Sequence, residues 1–482
     1  MPPPRARLRH RLPPRLRHYW KLLLACAAFL VVCAVVFSTV RVTPLVTSAS
    51  DNQADDVTED VAGTTDLFDS TVGHEITVTF RDSDYQRLLD EFWAEGEKDF
   101  LEADLTIDGT FLASVGIRLK GNSTLSGLTR DGEARSGGFG GPGGGMAGQR
   151  ERPDAGQAPP AGAQQPPDGA APPEGDFRPG GGGPGGGGFG RSSLKAEEPE
   201  TLPWLIRFDE FVDGRRYQGH REIAVRVAGM GGGSTVLNEA VSLDVLAATG
   251  QSAQRYAYSS FTVNDRPTTA RLIVDHPDVA DGGDGVLYKS LATSQFTDQG
   301  DDPTAYADDF KQITMKGSQD LQPVIDLIRW VNTSSDTEFA EQLADHVDVD
   351  SFARYVAVQD LLLNFDDMSG PGRNYYLWYD LDTRTFTVVG WDYNLTFSGN
   401  AMGGGRFGGN ELKERFQASA AFTKVYEDAY ADLHEKIYGN GTALASLDRI
   451  TKVLSTVDGY NAQAAASEID QLRTLIQQQV SG

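Results

Sequence analysis

Between residues 364 and 397 the chain sets Asp366, Asp367, Asn374 and Asp392 around two aromatic and β-branched runs, NYYLWY (374–379) and TFTVVGW (385–391). These residue types suit phosphoryl transfer. That reaction asks little covalent work of a protein. It needs a carboxylate near the acceptor hydroxyl, and carboxylate and amide oxygens to hold Mg2+ on the phosphates. Asp366 or Asp367 would serve the first need, and Asp392 with Asn374 the second.

The flanking elements must bring these groups together. Val358, Leu361, Leu362 and Phe365 recur at helical spacing, so a helix is expected to run into Asn364. Ser369-Gly370-Pro371-Gly372 then breaks the chain. The two β-rich runs, joined by Asp380-Leu381-Asp382-Thr383-Arg384, read as a hairpin. Antiparallel pairing would place its two polar ends side by side. Protein kinases use the same order of parts: a loop Asp, an Asn, a hairpin and a metal-binding Asp. Their usual Asp-to-Asn spacing is about five positions, shorter than that between Asp366 and Asn374.

The segment N-x-D…N-Y-Y-L-W…G-W-D-x-N-x-x-F resembles the CotH family, named after a spore coat protein and regarded as atypical, secreted protein kinases. Asn364, Asp366, Asn374, Tyr375, Tyr376, Trp391, Asp392 and Phe397 carry the match. Members more often read WDxDxxFG; here Asn394 replaces the second acid and Ser398 precedes Gly399. Arg118-Leu119-Lys120-Gly121-Asn122-Ser123 is similar to the family's R-x-(K/R)-G-N-S run. Read by itself, that run is either a phosphate cradle or an ordinary strand-to-turn connection. The strand LPWLIRFDEF resembles the family's K-x-P-x-x-I-x-F element. Its Lys is missing: Thr201 or Leu202 stands near the place, with Lys195 upstream.

The resemblance implies an α+β, atypical protein-kinase-like two-lobed fold with a helical C-terminal region. Asp366 would be catalytic. Lys120, Asn122 and Glu239 would position the nucleotide's phosphates, and Asp392, Asn374 and Asn394 would ligate Mg2+ or Mn2+. Glu239, on a helix beginning near Ser234 and stopping at Gly250, would play the part of the αC glutamate in kinases; the bland reading is a solvated helix face. In a kinase-like fold, 256–278 would be the hinge beside the adenine, with Asp275 where the family usually has Glu. Lys289 sits in a family-like L-Y-K. ATP is the implied phosphate donor, and a protein Ser/Thr at the cell surface the implied acceptor. The rival readings are a catalytically weak or inactive surface or adhesion protein of this fold, and a cell-envelope assembly protein.

Charge is lopsided. Residues 1–21 hold seven Lys/Arg and no acid, and the remainder carries 36 Lys/Arg against 68 Asp/Glu. Such a surface repels nucleic acid, which is bound through basic patches. The apolar run 22–40 is long enough to span a bilayer, and its basic flank predicts a cytoplasmic N-terminus with the main domain outside the cell. A cleaved signal peptide is the competing expectation. Both cysteines, Cys26 and Cys33, lie in this run, so the rest has no disulfide.

The expected organisation is a basic tail (1–21), a transmembrane helix (22–40), an acidic spacer (41–65) and one domain (66–482). A Gly/Pro-rich insertion (136–193), expected to be disordered, and a Gly-rich loop (398–411) interrupt the domain. A long insertion adds little closure entropy, so it need not mark a domain boundary. HEITVTF reads as a strand, DSDYQRLLDEFWAEG as a helix burying Tyr85, Leu88, Leu89 and Phe92, and 100–123 as a hairpin turning at Asp108-Gly109. No zinc spacing, Walker A sequence or G-x-S-x-G appears.

Overall fold

The computed structural model describes residues 57–121, 124–135, 194–227, 235–276, 284–315, 320–397 and 409–481. Strands β1 (Gly73–Thr79), β2 (Leu101–Ile107), β3 (Thr110–Leu119), β4 (Trp204–Arg207), β5 (Glu222–Val225), β6 (Tyr256–Val263) and β7 (Thr269–Asp275) form a closed barrel. Neighbours pair antiparallel around it except β1 and β6, whose parallel pairing closes it. Closure leaves no exposed strand edge. The β2–β3 hairpin turns at Asp108 and Gly109 with φ of 46° and 82°. Positive φ at both central residues matches the right-handed twist of the strands it joins. Helix α1 (Asp82–Glu95) buries Tyr85, Leu88, Leu89 and Phe92 against the barrel core, as its spacing requires.

A second core lies on the other side of β6 and β7. Side chains alternate along a strand, so Ala257, Phe261, Val263 and Ile273 face the barrel core, while Tyr256, Tyr258, Leu272 and Val274 face the second core. That core also takes in α2 (Leu237–Ala248) and an antiparallel sheet of order β9-β8-β10-β11. Its strands are β8 (Gly285–Ser290), β9 (Phe310–Gln312), β10 (Tyr375–Asp380) and β11 (Phe386–Gly390). Helices α3 (Gln322–Thr333), α4 (Val349–Leu361), α5 (Glu411–Ala418), α6 (Thr423–His434), α7 (Thr442–Leu454) and α8 (Ala462–Ser481) pack around it.

Several expectations change. Among the described residues no helix is long and apolar enough to cross a membrane. The longest of those named, α8, carries Glu468, Asp470 and Arg473 in its middle and is amphipathic. The fold class is therefore a mixed α and β protein, and the expected single N-terminal transmembrane helix is dropped from it; residues 22–40 lie outside the described residues. The folded part begins before the expected boundary at 66, because Glu59–Val61 pairs in parallel with Arg215–Tyr217. The insertion 136–193, Asn122, Ser234 and residues 398–408 of the Gly-rich loop also fall outside the described residues.

Candidate active site

The hairpin β10–β11 pairs Tyr375 with Gly390, so the residues just outside it meet: the Trp391 N–H donates to the Asn374 carbonyl (3.3 Å). This register sets Asn374 beside Trp391 and Asp392. Upstream, α4 ends at Leu361, and Leu363 takes a left-handed backbone (φ 50°) to start the loop. Asp366, on that loop, is buried. One of its carboxylate oxygens accepts from the Gly372 N–H, and the other from the Asn374 side-chain amide (2.9 Å). A Cβ at Gly372 would lie 2.6 Å from Asp366 Oδ2 and 2.8 Å from Asn374 Nδ2, so any larger residue there would have to displace these two groups. Burial pushes the Asp366 carboxyl up to about 7, helped by the charges of Asp392 and Asp367 and opposed by those two hydrogen bonds.

Asp392 also adopts a left-handed backbone, φ 59° and ψ 62°, and opens the short turn Tyr393–Leu395. Such conformations cost energy and cluster at functional sites. The turn is tied to α2: the Asn238 amide donates to the Asn394 carbonyl (2.6 Å) and the Thr396 carbonyl (3.1 Å).

Asp366, Asn374, Asp392 and Asn394 line one cavity of about 340 Å3 between the two cores. Five basic side chains share its wall: Lys98, Arg118, Lys120, Arg226 and Lys289. The ring of Trp391 anchors three of them, with Lys120 Nζ at 5.0 Å, the Arg226 guanidinium carbon at 5.6 Å and Lys289 Nζ at 5.8 Å from its centroid. Cations are drawn to an aromatic face in this way. Burial together with the charges of Arg226 and Lys289 depresses the Lys120 ammonium to about 7. Lys98 falls to about 8, from burial and then Arg118. A wall whose cations push one another's protons off is one that a polyanion would relieve.

Glu239 is buried, 1 % exposed, and does not sit on a solvated face. Its partner is Arg226, just past β5: Arg226 Nε donates to Glu239 Oε2 (2.8 Å) and Nη2 to Oε1. The same Nη2 bridges to Asp392 Oδ1. Burial raises the Glu239 carboxyl despite that guanidinium. For Asp392, Arg226 and Lys120 outweigh burial and lower it.

The sequence reading therefore placed Asp366, Asn374, Asp392, Asn394 and Lys120 at one cavity, and Glu239 one residue behind it through Arg226. It missed Arg226, Lys98 and His276, all of which line the cavity, and gave Lys289 no role. Lys289 lay in a motif it did notice; Arg226 has no local signal, since only the fold brings it to Asp392. Lys195 is not the missing lysine: it is exposed and pairs with Glu198 (2.8 Å). Asp275 ends a barrel strand and faces His220 (3.0 Å); the stretch expected as a hinge forms the paired barrel strands β6 and β7. Asp367, whose role the sequence left open, pairs with Lys413 of α5 and accepts from the Ser369 N–H (2.8 Å).

The donors fit a hard divalent cation. Carboxylate and amide oxygens suit Mg2+ or Mn2+, which use one or two carboxylates and take remaining ligands from phosphates and water. No group of three or more His, Cys, Asp or Glu among the described residues could hold a metal by itself. Asp392, Asn374 and Asn394 would hold it, and it would supply neutralisation of negative charge there.

Residues 189–428 match the family described as CotH kinase protein. The chain is 32% identical over 110 residues to the inner spore coat protein H of Bacillus subtilis, a match covering 21% of this chain and 29% of that relative. It thus spans less than a third of that relative's length. Among solved structures, the Helicobacter pylori proinflammatory kinase CtkA is similar over 54% of this chain and 86% of its own, at 10% identity and a TM-score of 0.28. A Shewanella oneidensis toxin–antitoxin complex of HipA, HipB and operator DNA is similar over 54% and 57%, at 11% identity and a TM-score of 0.29. Scores this low leave the fold to be described from its own strands and cores.

Proposed function

This chain belongs to the CotH kinase family, and from that premise we propose that it transfers the terminal phosphate of a nucleotide, ATP in the first instance, to a Ser or Thr hydroxyl of a protein. The observation that supports this most is the single cavity in which a buried loop Asp, an amide-bearing hairpin end and five cations converge. Lys120, Lys289 and Arg226 would neutralise the phosphates from the barrel side and the sheet side. Asp366, held by Gly372 and Asn374, would orient the acceptor hydroxyl and take its proton as the acceptor oxygen bonds to phosphorus and the bond to the leaving diphosphate breaks. Mg2+ or Mn2+ at Asp392, Asn374 and Asn394 would supply charge stabilisation on the phosphates.

The test is transfer of labelled phosphate from ATP to the protein itself or to a mixture of Ser/Thr-containing proteins, with Mg2+ or Mn2+. Labelling that vanishes in Asp366→Asn is expected. Absence of both labelling and nucleotide-dependent thermal stabilisation in the unaltered chain would overturn the reading, in favour of a catalytically inactive surface or assembly protein.

A further inference from the structure

Arg226 is the most constrained cation of the cavity, 7 % exposed and bonded to two carboxylates from different parts of the chain. The bonds run through Nε and Nη2; Nη1 carries neither of them. Its position beside Asp392 bears on the metal. A guanidinium on Asp392 Oδ1 repels a divalent cation seeking the same carboxylate. The metal therefore has to meet Asp392 after Arg226 has turned away. Glu239 gives Arg226 a second anchor, and the Trp391 ring lies beside it 5.6 Å away, so the guanidinium can leave Asp392 without leaving the cavity. A phosphate group entering among Lys120, Lys289 and Arg226 is the natural acceptor for the released arm, because Arg pairs with phosphate oxygens as it does with carboxylate.

We propose that Arg226 is a positioning residue that makes nucleotide and divalent metal bind as a coupled pair: it occupies Asp392 until phosphate oxygens take over its guanidinium, and only then is Asp392 open to the metal. This rests on the nucleotide-binding reading above. It assigns Glu239 the task of keeping Arg226 in place during the exchange. In the absence of nucleotide the metal site is closed by an internal cation, so the protein would not collect free divalent ions.

The experiment is Mn2+ binding to the chain without nucleotide, read from the electron paramagnetic resonance of free Mn2+, which needs no turnover. Arg226→Gln is expected to bind Mn2+ about ten-fold more tightly than the unaltered chain, a coupling of ordinary allosteric size. Asp392→Asn should abolish that binding. Glu239→Gln should leave Mn2+ affinity unchanged or lower it, because Arg226 then has Asp392 as its remaining carboxylate. A purely structural Arg226 would weaken binding when removed. A folded Arg226→Gln with unchanged or weaker Mn2+ affinity would overturn the proposal. If Arg226→Gln does not fold, a rise in Mn2+ affinity in Glu239→Gln overturns it instead. A non-hydrolysable ATP analogue completes the test: no binding of the analogue to the unaltered chain with any metal would refute the nucleotide reading, while the nucleotide-free comparison still decides the role of Arg226.

Discussion

Asp366 and Asp367 are neighbours in sequence with opposite energetic roles, and exchanging each for Asn should separate stability from chemistry. Asp367 is 5 % exposed in its side chain and Lys413 is 12 % exposed. Removing one partner of a buried pair leaves the other charge uncompensated, at a cost of about 3–5 kcal/mol. Asp367→Asn is thus expected to lose about that much stability. Much of it should return in the double variant Asp367→Asn, Lys413→Met. Asp366 behaves oppositely. Its carboxyl is raised from 3.8 to about 7 in the fold, so ionising it in the folded state costs about 4 kcal/mol at 1.36 kcal/mol per unit. Asn carries no such penalty, but weakening the bonds from Gly372 and Asn374 takes back about 1–3 kcal/mol. At pH 8, Asp366→Asn should therefore be about 1–3 kcal/mol more stable than the parent. The sign follows from linkage. Between 3.8 and about 7 the folded carboxyl holds its proton more than the unfolded one, so this group's contribution to stability falls as pH rises through that window and is constant above it. The gain of Asp366→Asn should therefore vanish near pH 4. Denaturant unfolding at pH 4 and pH 8, alongside phosphate transfer, reads all of this. An Asp366→Asn protein as unstable at pH 8 as Asp367→Asn, or one that still transfers phosphate, would refute the reasoning.

Binding of inorganic tripolyphosphate at pH 8 should take up protons, because the anion restores the ammonium charge of Lys120 and Lys98, which sit near 7 and 8 in the free protein. Calorimetry in buffers of different ionisation enthalpy measures that uptake, which should shrink below pH 6 and fall in Lys120→Met; its absence at pH 8 would show that the cationic wall does not receive the anion. Gly372→Ala should lower transfer by about 100-fold through misplacement of Asp366, while the circular dichroism spectrum stays that of the parent; wild-type turnover would mean Asp366 is not held by this loop. Trp391→Leu removes the ring that three cations share. At about 0.5–1 kcal/mol for each of the three contacts, nucleotide affinity should fall about ten- to hundred-fold, measured by fluorescence titration, with Asp366-dependent proton transfer preserved at saturation.

What the sequence by itself determined is what local chain geometry controls. The alternation and turn chemistry of 374–391 set a hairpin whose register leaves Asn374 and Asp392 adjacent, and the Ser-Gly-Pro-Gly break put Asp366 on the loop before it. The spacing of Tyr85, Leu88, Leu89 and Phe92 likewise required a one-sided helix. It did not determine which charges would meet. Arg226 reaches Asp392 across 166 positions and Lys413 reaches Asp367 across 46. Neither arginine nor lysine differs by composition or periodicity from one on a solvated face. Glu239 looked like such a face residue because the apolar stripe of its helix runs past it; burial on all sides between two cores, which no periodicity encodes, turned it into a buried anchor. Long-range strand pairing made the cavity: β3 pairs with β4, β4 with β5 and β5 with β7, which sets Lys120 and Arg226, just past β3 and β5, in the wall shared with the acids of the hairpin.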